Sequence, residues 1–316
     1  MSRPVILSLG SVNADFQIRI KVPLTGKETL MGHDFCRFSG GKAANVAYLA
    51  RKLSLDAALI GCVGHDDLAE QALEPLRKVG VDLQYVTRQP VSTGMSMIVV
   101  PPDGKKSIVL AGNANDHWDD VSINAMRQAV AQACEQSILV LDYEIDAQVA
   151  TQAVRLASAR RMRVVLDPSP ADRIDRKVLS HVYAVTPNVS EAQQLTGTEI
   201  LDLASAMSAA QRILTWGVTI VCIKLGDGGC VAAGKDWGIS VPSPNTRAVD
   251  TTGAGDAFTG AFAASLLQGD DAVEAACWGV AASNYAVGHY GSQPAYPSRA
   301  EIERQLPRLK KTIQQH

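Results

Sequence analysis

Apolar positions along the chain follow two alternating patterns. Short apolar runs at 5–9, 57–63, 138–141, 164–166 and 219–223 have the length and Val/Ile/Leu content of buried strands. Longer segments with helical spacing fall near 66–79, 121–136, 147–160 and 204–216. Strands followed so regularly by helices predict a mostly parallel sheet covered by helices on both faces. Two stretches depart from this. Residues 16–21 alternate Phe, Ile, Ile against Gln, Arg, Lys, as a half-exposed strand does, and 35–39 could pair with it. Residues 95–100 and 107–110, joined by Pro101-Pro102-Asp103-Gly104, read as a hairpin. Together they predict a small sheet projecting from the body of one large domain, residues 1–316. Pro75 predicts a kink in the helix at 66–79.

Composition narrows the function classes. At 316 residues, 47% hydrophobic and 20% charged, the chain has the make-up of a globular protein with a large core. A net charge of −2, with no basic run beyond Lys310-Lys311, argues against a nucleic-acid partner. No apolar stretch approaches the ~18 residues of a membrane span, and Met1-Ser2-Arg3-Pro4 leads straight into a strand-like run without a signal peptide's apolar core. The six cysteines lack C-x-x-C spacing and read as reduced thiols, so a cytoplasmic protein without a membrane partner is expected. The six histidines never pair at i, i+4, which disfavours zinc. No G-x-G-x-x-G follows the first strand, which disfavours a dinucleotide oxidoreductase. Each Gly-Lys pair is followed by Glu28, Ala43, Lys106 or Asp236, not by the Ser or Thr of a Walker A loop.

The chemistry gathers around Asp250-Thr251-Thr252-Gly253-Ala254-Gly255-Asp256, between a β-like run ending near Val249 and a helical run at 257–267. Glycines at a helix start let a ligand approach unpaired N–H groups at the positive end of the helix dipole, a seat for phosphate or a developing anion. Asp256 beside that seat reads as a base for a hydroxyl about to attack phosphorus, or as a cap on its own helix. Gly40-Gly41-Lys42-Ala43-Ala44-Asn45 opens a second helix with the same freedom. Polar residues also follow the strands, where open α/β sheets bind ligands. Asn13 and Asp15 could clamp sugar hydroxyls or form an Asx turn. Asp142, Glu144 and Asp167 could be ligands or caps, and Asn188 and Glu191 could share a helix face and hold Mg²⁺ through water. Gly226-Asp227-Gly228-Gly229 suits a hairpin or the flat face of a nucleotide base.

In these residues the chain resembles the ribokinase-like (PfkB) carbohydrate kinases over nearly its whole length. The family's N-terminal signature is matched by residues 40–45, its C-terminal signature by 250–256, and its Asn-x-x-Glu motif by 188–191. The resemblance implies a three-layer α/β/α fold with a β-sheet lid from segments near 13–39 and 92–113, often a dimer through the lids. It also implies an ATP-dependent kinase whose base is Asp256, with the amides of Gly253, Ala254 and Gly255 holding the phosphoryl group. Asn13, Asp15, Gly41, Lys42, Asn45 and Glu144 would hold the sugar. Asn188 and Glu191 would serve the Mg²⁺–phosphate network, and Lys224, Gly226 and Gly229 would line the ATP site. Family members that need potassium hold it near the positions of Asp250, Thr252, Ala286, His289 and Gly291. Residues 10–15 and 291–294 resemble the ribokinase branch, with Lys224 standing where Thr is expected, and D-ribose is the leading expectation for the acceptor. Another sugar, a nucleoside, or a non-catalytic sugar sensor are the alternatives.

Overall fold

The computed structural model describes residues 3–24, 29–102, 106–244 and 246–316. In chain order its elements are β1 (Ile6–Leu9), β2 (Asn13–Ile20), β3 (Gly32–Gly40), α1 (Lys42–Lys52), β4 (Ala57–Gly64), α2 (Asp67–Val79), β5 (Asp82–Gln89), β6 (Gly94–Val100) and β7 (Ser107–Ala111). There follow α3 (Asp120–Gln132), β8 (Ile138–Leu141), α4 (Ala147–Ala159), β9 (Arg163–Leu166), β10 (Ala184–Val185), α5 (Val189–Thr196), α6 (Leu203–Leu214) and β11 (Ile220–Lys224). The chain ends with β12 (Cys230–Gly234), β13 (Trp237–Val241), α7 (Ala254–Leu267), α8 (Ala272–Val287), α9 (Arg299–Lys310) and β14 (Gln314–Gln315).

The larger sheet has the order β14-β13-β12-β11-β10-β9-β8-β1-β4-β5. From β11 to β5 its neighbours are parallel, and β12 to β14 add an antiparallel edge. The apolar runs are continuous because both faces are covered. Along β1 and β8, successive side chains enter different cores. Ile6, Ile138 and Val140 pack with α1, α7, α8 and α9. Leu7, Leu9, Leu139 and Leu141 pack with α3, α4 and α6 on the other face. This is the three-layer α/β/α arrangement. Every residue of α7 from Asp256 to Leu266 is buried, so that helix has no solvent face over this stretch.

The smaller sheet, β3-β2-β6-β7, pairs β2 with β3 and β6 with β7 antiparallel, and β2 with β6 in parallel. The hairpin expected at 95–110 is therefore formed by β6 and β7, while its turn residues Asp103 and Gly104 lie outside the described residues. Phe16, Met97 and Val109 lie in one cross-strand row. Asp15 and Ser96, one position away on the same strands, are buried.

Helix α2 runs through Pro75 as one element. Two expectations need correction. No strand ends near Val249: the ladder stops at Val241, and the Val249 and Asp250 N–H groups both donate to the Val287 carbonyl at the end of α8. Asn188 and Glu191 do not share a helix face. Asn188 is the N-cap of α5 and Glu191 its third residue, each side chain bonded to the other's backbone N–H. The six cysteines are unpaired, and no helix among the described residues is long and apolar enough to cross a membrane.

Phe262 is fully buried in α7, its ring stacked on Phe258 with centroids 6.3 Å apart. Phe262→Ala should cost about 3–5 kcal/mol of stability by leaving a cavity at the centre of the helix layer. Urea unfolding of the two proteins checks this.

Candidate active site

The carboxyl ends of β1, β8, β9, β10 and β11 open on one rim, where α1 and α7 also begin. Gly253 caps α7 with φ at 71°. A Cβ at this position would lie 2.6 Å from the Tyr296 hydroxyl and 2.8 Å from the Ser292 Cβ, so the turn requires glycine. No side chain caps α7, which leaves its positive end open to a ligand. Asp256 is therefore not a cap. Its carboxylate accepts from Asn45 Nδ2 at 2.7 Å and from Lys42 Nζ at 3.5 Å.

Lys42 and Asn45 reach it because α1 starts beside β1. Gly41 turns the chain there with φ at 91°, and a Cβ would meet the Ser11 carbonyl oxygen at 2.4 Å. The Ser11 hydroxyl accepts from the Lys42 N–H at 2.9 Å and donates to Glu144 Oε2 at 2.8 Å. Asn45 Oδ1 in turn accepts from Gln293 Nε2 at 3.1 Å. From the small sheet, Asn13 Oδ1 accepts from Asn115 Nδ2 at 2.8 Å, and the Ser96 hydroxyl donates to Asp15. Lys42 and Asn45 thus meet at Asp256, and Asp256 and Glu144 lie close enough to Asp15 to act on its charge.

On the other side of α7's first turn lies a cleft of about 620 Å³. Lys42, Glu191, Lys224, Ala254, Gly255 and Phe258 are among its walls, together with the glycine turn 226–229 that joins β11 to β12. The turn is held from α8 by Asn284, whose Nδ2 donates to the Gly228 carbonyl at 2.8 Å. Glu191 Oε2 is taken by the Asn188 N–H.

A third cluster ties the loop before α7 to its neighbours. Asp250 Oδ1 accepts from the Thr252 N–H at 2.9 Å and hydroxyl at 2.7 Å, and Oδ2 accepts from Gln17 Nε2 at 2.7 Å and the Gly291 N–H at 3.0 Å. The His289 N–H donates to the Ala286 carbonyl at 3.0 Å, and its ring is exposed against Tyr285. Four donors use the acceptor capacity of the Asp250 carboxylate.

Burial and neighbouring charges move several titrations at this rim. Burial pushes Asp15 up to about 7 against the pull of the Ser96 hydroxyl. Burial also raises Glu144, and with the adjacent Glu144 it raises Asp142 well above the carboxylate range. Burial draws the Lys42 ammonium down, but Asp167 and Asp256 more than reverse this and hold it well above its usual value. Asp167 is pushed up by burial and brought below its ordinary range by Lys224 and Lys42.

Several residues of this site were not singled out as binding groups. Asp142 and Asp167 were visible as polar residues after strands, yet nothing in the pattern distinguished them from caps. Asp142 accepts from the Ser11 N–H at 3.2 Å and the Glu144 N–H at 2.9 Å. Ser11, Asn115, Gln17 and Gln293 are partners from distant parts of the chain, and only the assembled fold brings them in.

The family model for "pfkB family carbohydrate kinase" matches residues 4–299. Ribokinase of Haemophilus influenzae is 34% identical over 300 residues, covering 95% of this chain and 97% of that one. Ribokinase of Schizosaccharomyces pombe is 30% identical over 309 residues, covering 94% and 96%. The solved structure of Arabidopsis thaliana ribokinase complexed with ribose and ATP is similar with a TM-score of 0.83 at 28% identity, covering 97% of this chain and 99% of that one.

Asp15 carries a pH signature. The folded chain keeps its proton up to about pH 7, whereas the unfolded chain releases it near the ordinary aspartate value of 3.8. Between those values the folded form binds more protons, so this group's contribution to stability is lost as pH rises. Asp15→Asn should therefore stabilise the protein more at pH 8 than at pH 5, by roughly 2.6 kcal/mol. Unfolding midpoints in urea at the two pH values read this directly, and an equal effect at both would refute it.

Proposed function

Because this chain belongs to the pfkB family of carbohydrate kinases, phosphotransferases that act on a sugar hydroxyl, we propose that it moves the γ-phosphoryl group of ATP to the primary hydroxyl of a pentose held as a furanose, D-ribose foremost. One observation carries the reading. The Asp256 carboxylate, held by Asn45 at 2.7 Å, stands in the first turn of an uncapped helix whose Ala254 and Gly255 line a cleft of about 620 Å³.

In this reading the sugar lies at Asp256 and the cleft takes the nucleotide. Asn13, Asp15, Gly41, Asn45 and Glu144 meet hydroxyls, for which paired amides and carboxylates supply both donors and acceptors. Lys224, Gly226 and Gly229 line the nucleotide. Asp256 takes the proton of the primary hydroxyl as its oxygen bonds to the γ-phosphorus, and the bond from that phosphorus to the β–γ bridging oxygen breaks to release ADP. The N–H groups of Gly253, Ala254 and Gly255, with Lys42, face the charge that spreads over the phosphoryl oxygens. Lys42, paired with both Asp256 and Asp167, is kept protonated for that role.

Among the described residues no group of three or more His, Cys, Asp or Glu side chains is arranged to hold a metal ion alone. A Mg²⁺ ion would thus take most of its ligands from phosphate and water, with Glu191 nearby, as suits its chemistry. When bound it would neutralise phosphate charge. Potassium would sit near Asp250, Thr252, Ala286, His289 and Gly291, where backbone carbonyls and Thr252 offer oxygen ligands. A nucleoside acceptor is less well supported. It would want an aromatic surface for its base, and Tyr85 is buried in the core with its hydroxyl bonded to Gln132.

The small sheet would act as a lid and as the contact between two copies of the chain in the cytoplasm. Its outward row exposes Met97 at 56% and Val109 at 71%, with Phe35 at 58% beside Phe16. Apolar exposure of this kind marks an interaction surface.

ADP release measured across pentoses, hexoses, deoxy sugars and nucleosides, with Mg²⁺ and with or without K⁺, should show a preference for D-ribose; silence across the panel would leave a sugar sensor. Asp256→Asn should lower kcat by roughly three orders of magnitude or more with little change in nucleotide affinity, because the loss falls on the transition state. Near-normal turnover would remove Asp256 from the chemistry. Sedimentation velocity should report a dimer that Met97→Asp converts to monomer; a monomeric wild-type chain would count against the lid contact.

A further inference from the structure

Asp167 follows β9, its side chain 5% exposed, and two lysines from different parts of the fold meet it. Lys224 Nζ, at the end of β11, lies 3.0 Å from Oδ2, and Lys42 Nζ, at the start of α1, lies 3.8 Å from Oδ1. Thr259 on α7 adds a bond to Oδ2 at 3.2 Å, and Thr186 beyond β10 meets the Thr259 hydroxyl at 2.9 Å. The carboxylate is thereby fixed between β9, β11, α1 and α7. Both ammoniums point where phosphate chemistry would occur. Lys42 is 3.5 Å from Asp256, and a Cβ added to Gly255 would lie 3.5 Å from Lys224 Nζ. Both lysines line the cleft.

We propose that Asp167 is a positioning residue that holds Lys42 and Lys224 as a paired clamp on the transferring phosphoryl group, while Lys224 neutralises Asp167 so that a buried carboxylate can stand beside a polyphosphate. The proposal rests on the kinase reading above. Its physical content is mutual dependence. Without Lys224, the Asp167 charge faces the phosphates with Lys42 alone to screen it. Without Asp167, two like charges share a narrow space with nothing to fix either one. Removing both charges together restores the balance at this point.

The test is a double-mutant cycle of Lys224→Thr and Asp167→Asn. Its readouts are binding of Mg²⁺ with the non-hydrolysable ATP analogue AMP-PNP by calorimetry, and urea unfolding of the ligand-free protein. Lys224→Thr should weaken AMP-PNP about tenfold or more and lower the unfolding midpoint, since it strands a buried charge. Adding Asp167→Asn should return the affinity to within about threefold of wild type and recover most of the midpoint, the non-additivity expected of contacting charges. Asp167→Asn alone should leave AMP-PNP affinity within about threefold yet reduce kcat about a hundredfold, because positioning rather than net attraction is lost. Lys224→Arg, which keeps the charge, should stay close to wild type and guards against a simple folding defect. An additive cycle, or unchanged affinity in Lys224→Thr, would overturn the clamp while the kinase reading stands. A wild-type chain that binds no AMP-PNP would overturn the kinase reading and the clamp with it.

Discussion

Charge taken out of water must find a partner, and that constraint organises this rim. Asp167 and Asp256 are both buried beside Lys42. Breaking one member of a buried pair typically costs about 3–5 kcal/mol, so each group's ionisation depends on the others remaining in place. The sheet supplies the alignment. Leu9, Leu141 and Leu166 are register partners across β1, β8 and β9. The next residues, Gly10, Asp142 and Asp167, therefore stand side by side, and Gly10 lacks the side chain that would strike Asp142, 1.8 Å from a Cβ there. Parallel pairing thus sets the spacing of the carboxylates before any ligand arrives.

The same constraint explains how the small sheet is joined to the body. Asp250 receives Gln17 from β2 and the Gly291 N–H from beyond α8 on one oxygen. Gln293 bonds both Ser39 on β3 and Asn45 on α1, and Lys106 at the edge of β7 donates to the Thr251 carbonyl at 3.0 Å. Burial raises the Asp250 carboxyl, but the bonds from Thr252 and Gln17 carry it below its usual range, so it stays ionised at the junction. These bonds tie the small sheet to the loop that presents Gly253 and Asp256. A displacement of the sheet would be felt at Gly253 and Asp256, the coupling that the proposed lid would need.

Much of the layered fold was legible because its signals are local. The strands β1, β8, β9 and β11 are short apolar runs, and the period of the helices between them is visible without knowing their partners. The loop 250–256 was equally legible, since a glycine turn ahead of a helix has few other uses. What escaped had distant causes. Edge strand β5 alternates like a surface strand and is placed by pairing with β4. The run before Asp250 looked like a strand, but no neighbouring ladder was there to receive it. Asn188 and Glu191 satisfy one another as a capping box, a local pattern that spacing alone could not tell from a shared ligand face. Asp167 became distinct from a loop carboxylate only when two lysines, 125 and 57 positions away in the numbering, arrived beside it.

The fold therefore divides its labour along a physical boundary. In the proposed reading, groups that would face a transferring phosphoryl sit on the large sheet and its helices, where parallel register and the buried stretch of α7 hold them to fixed distances. Groups that would face the acceptor's hydroxyls sit partly on β2 and β6, whose Asn13, Asp15 and Ser96 belong to a smaller sheet with one apolar row turned outward. A substitution on the small sheet can change which hydroxyls are matched without disturbing the charge balance around Asp167. A substitution at Lys224 or Asp167 changes that balance for every acceptor. At Asp167 a change is therefore expected to come in coupled steps, because a buried carboxylate tolerates the loss of its cation only when its own charge goes too.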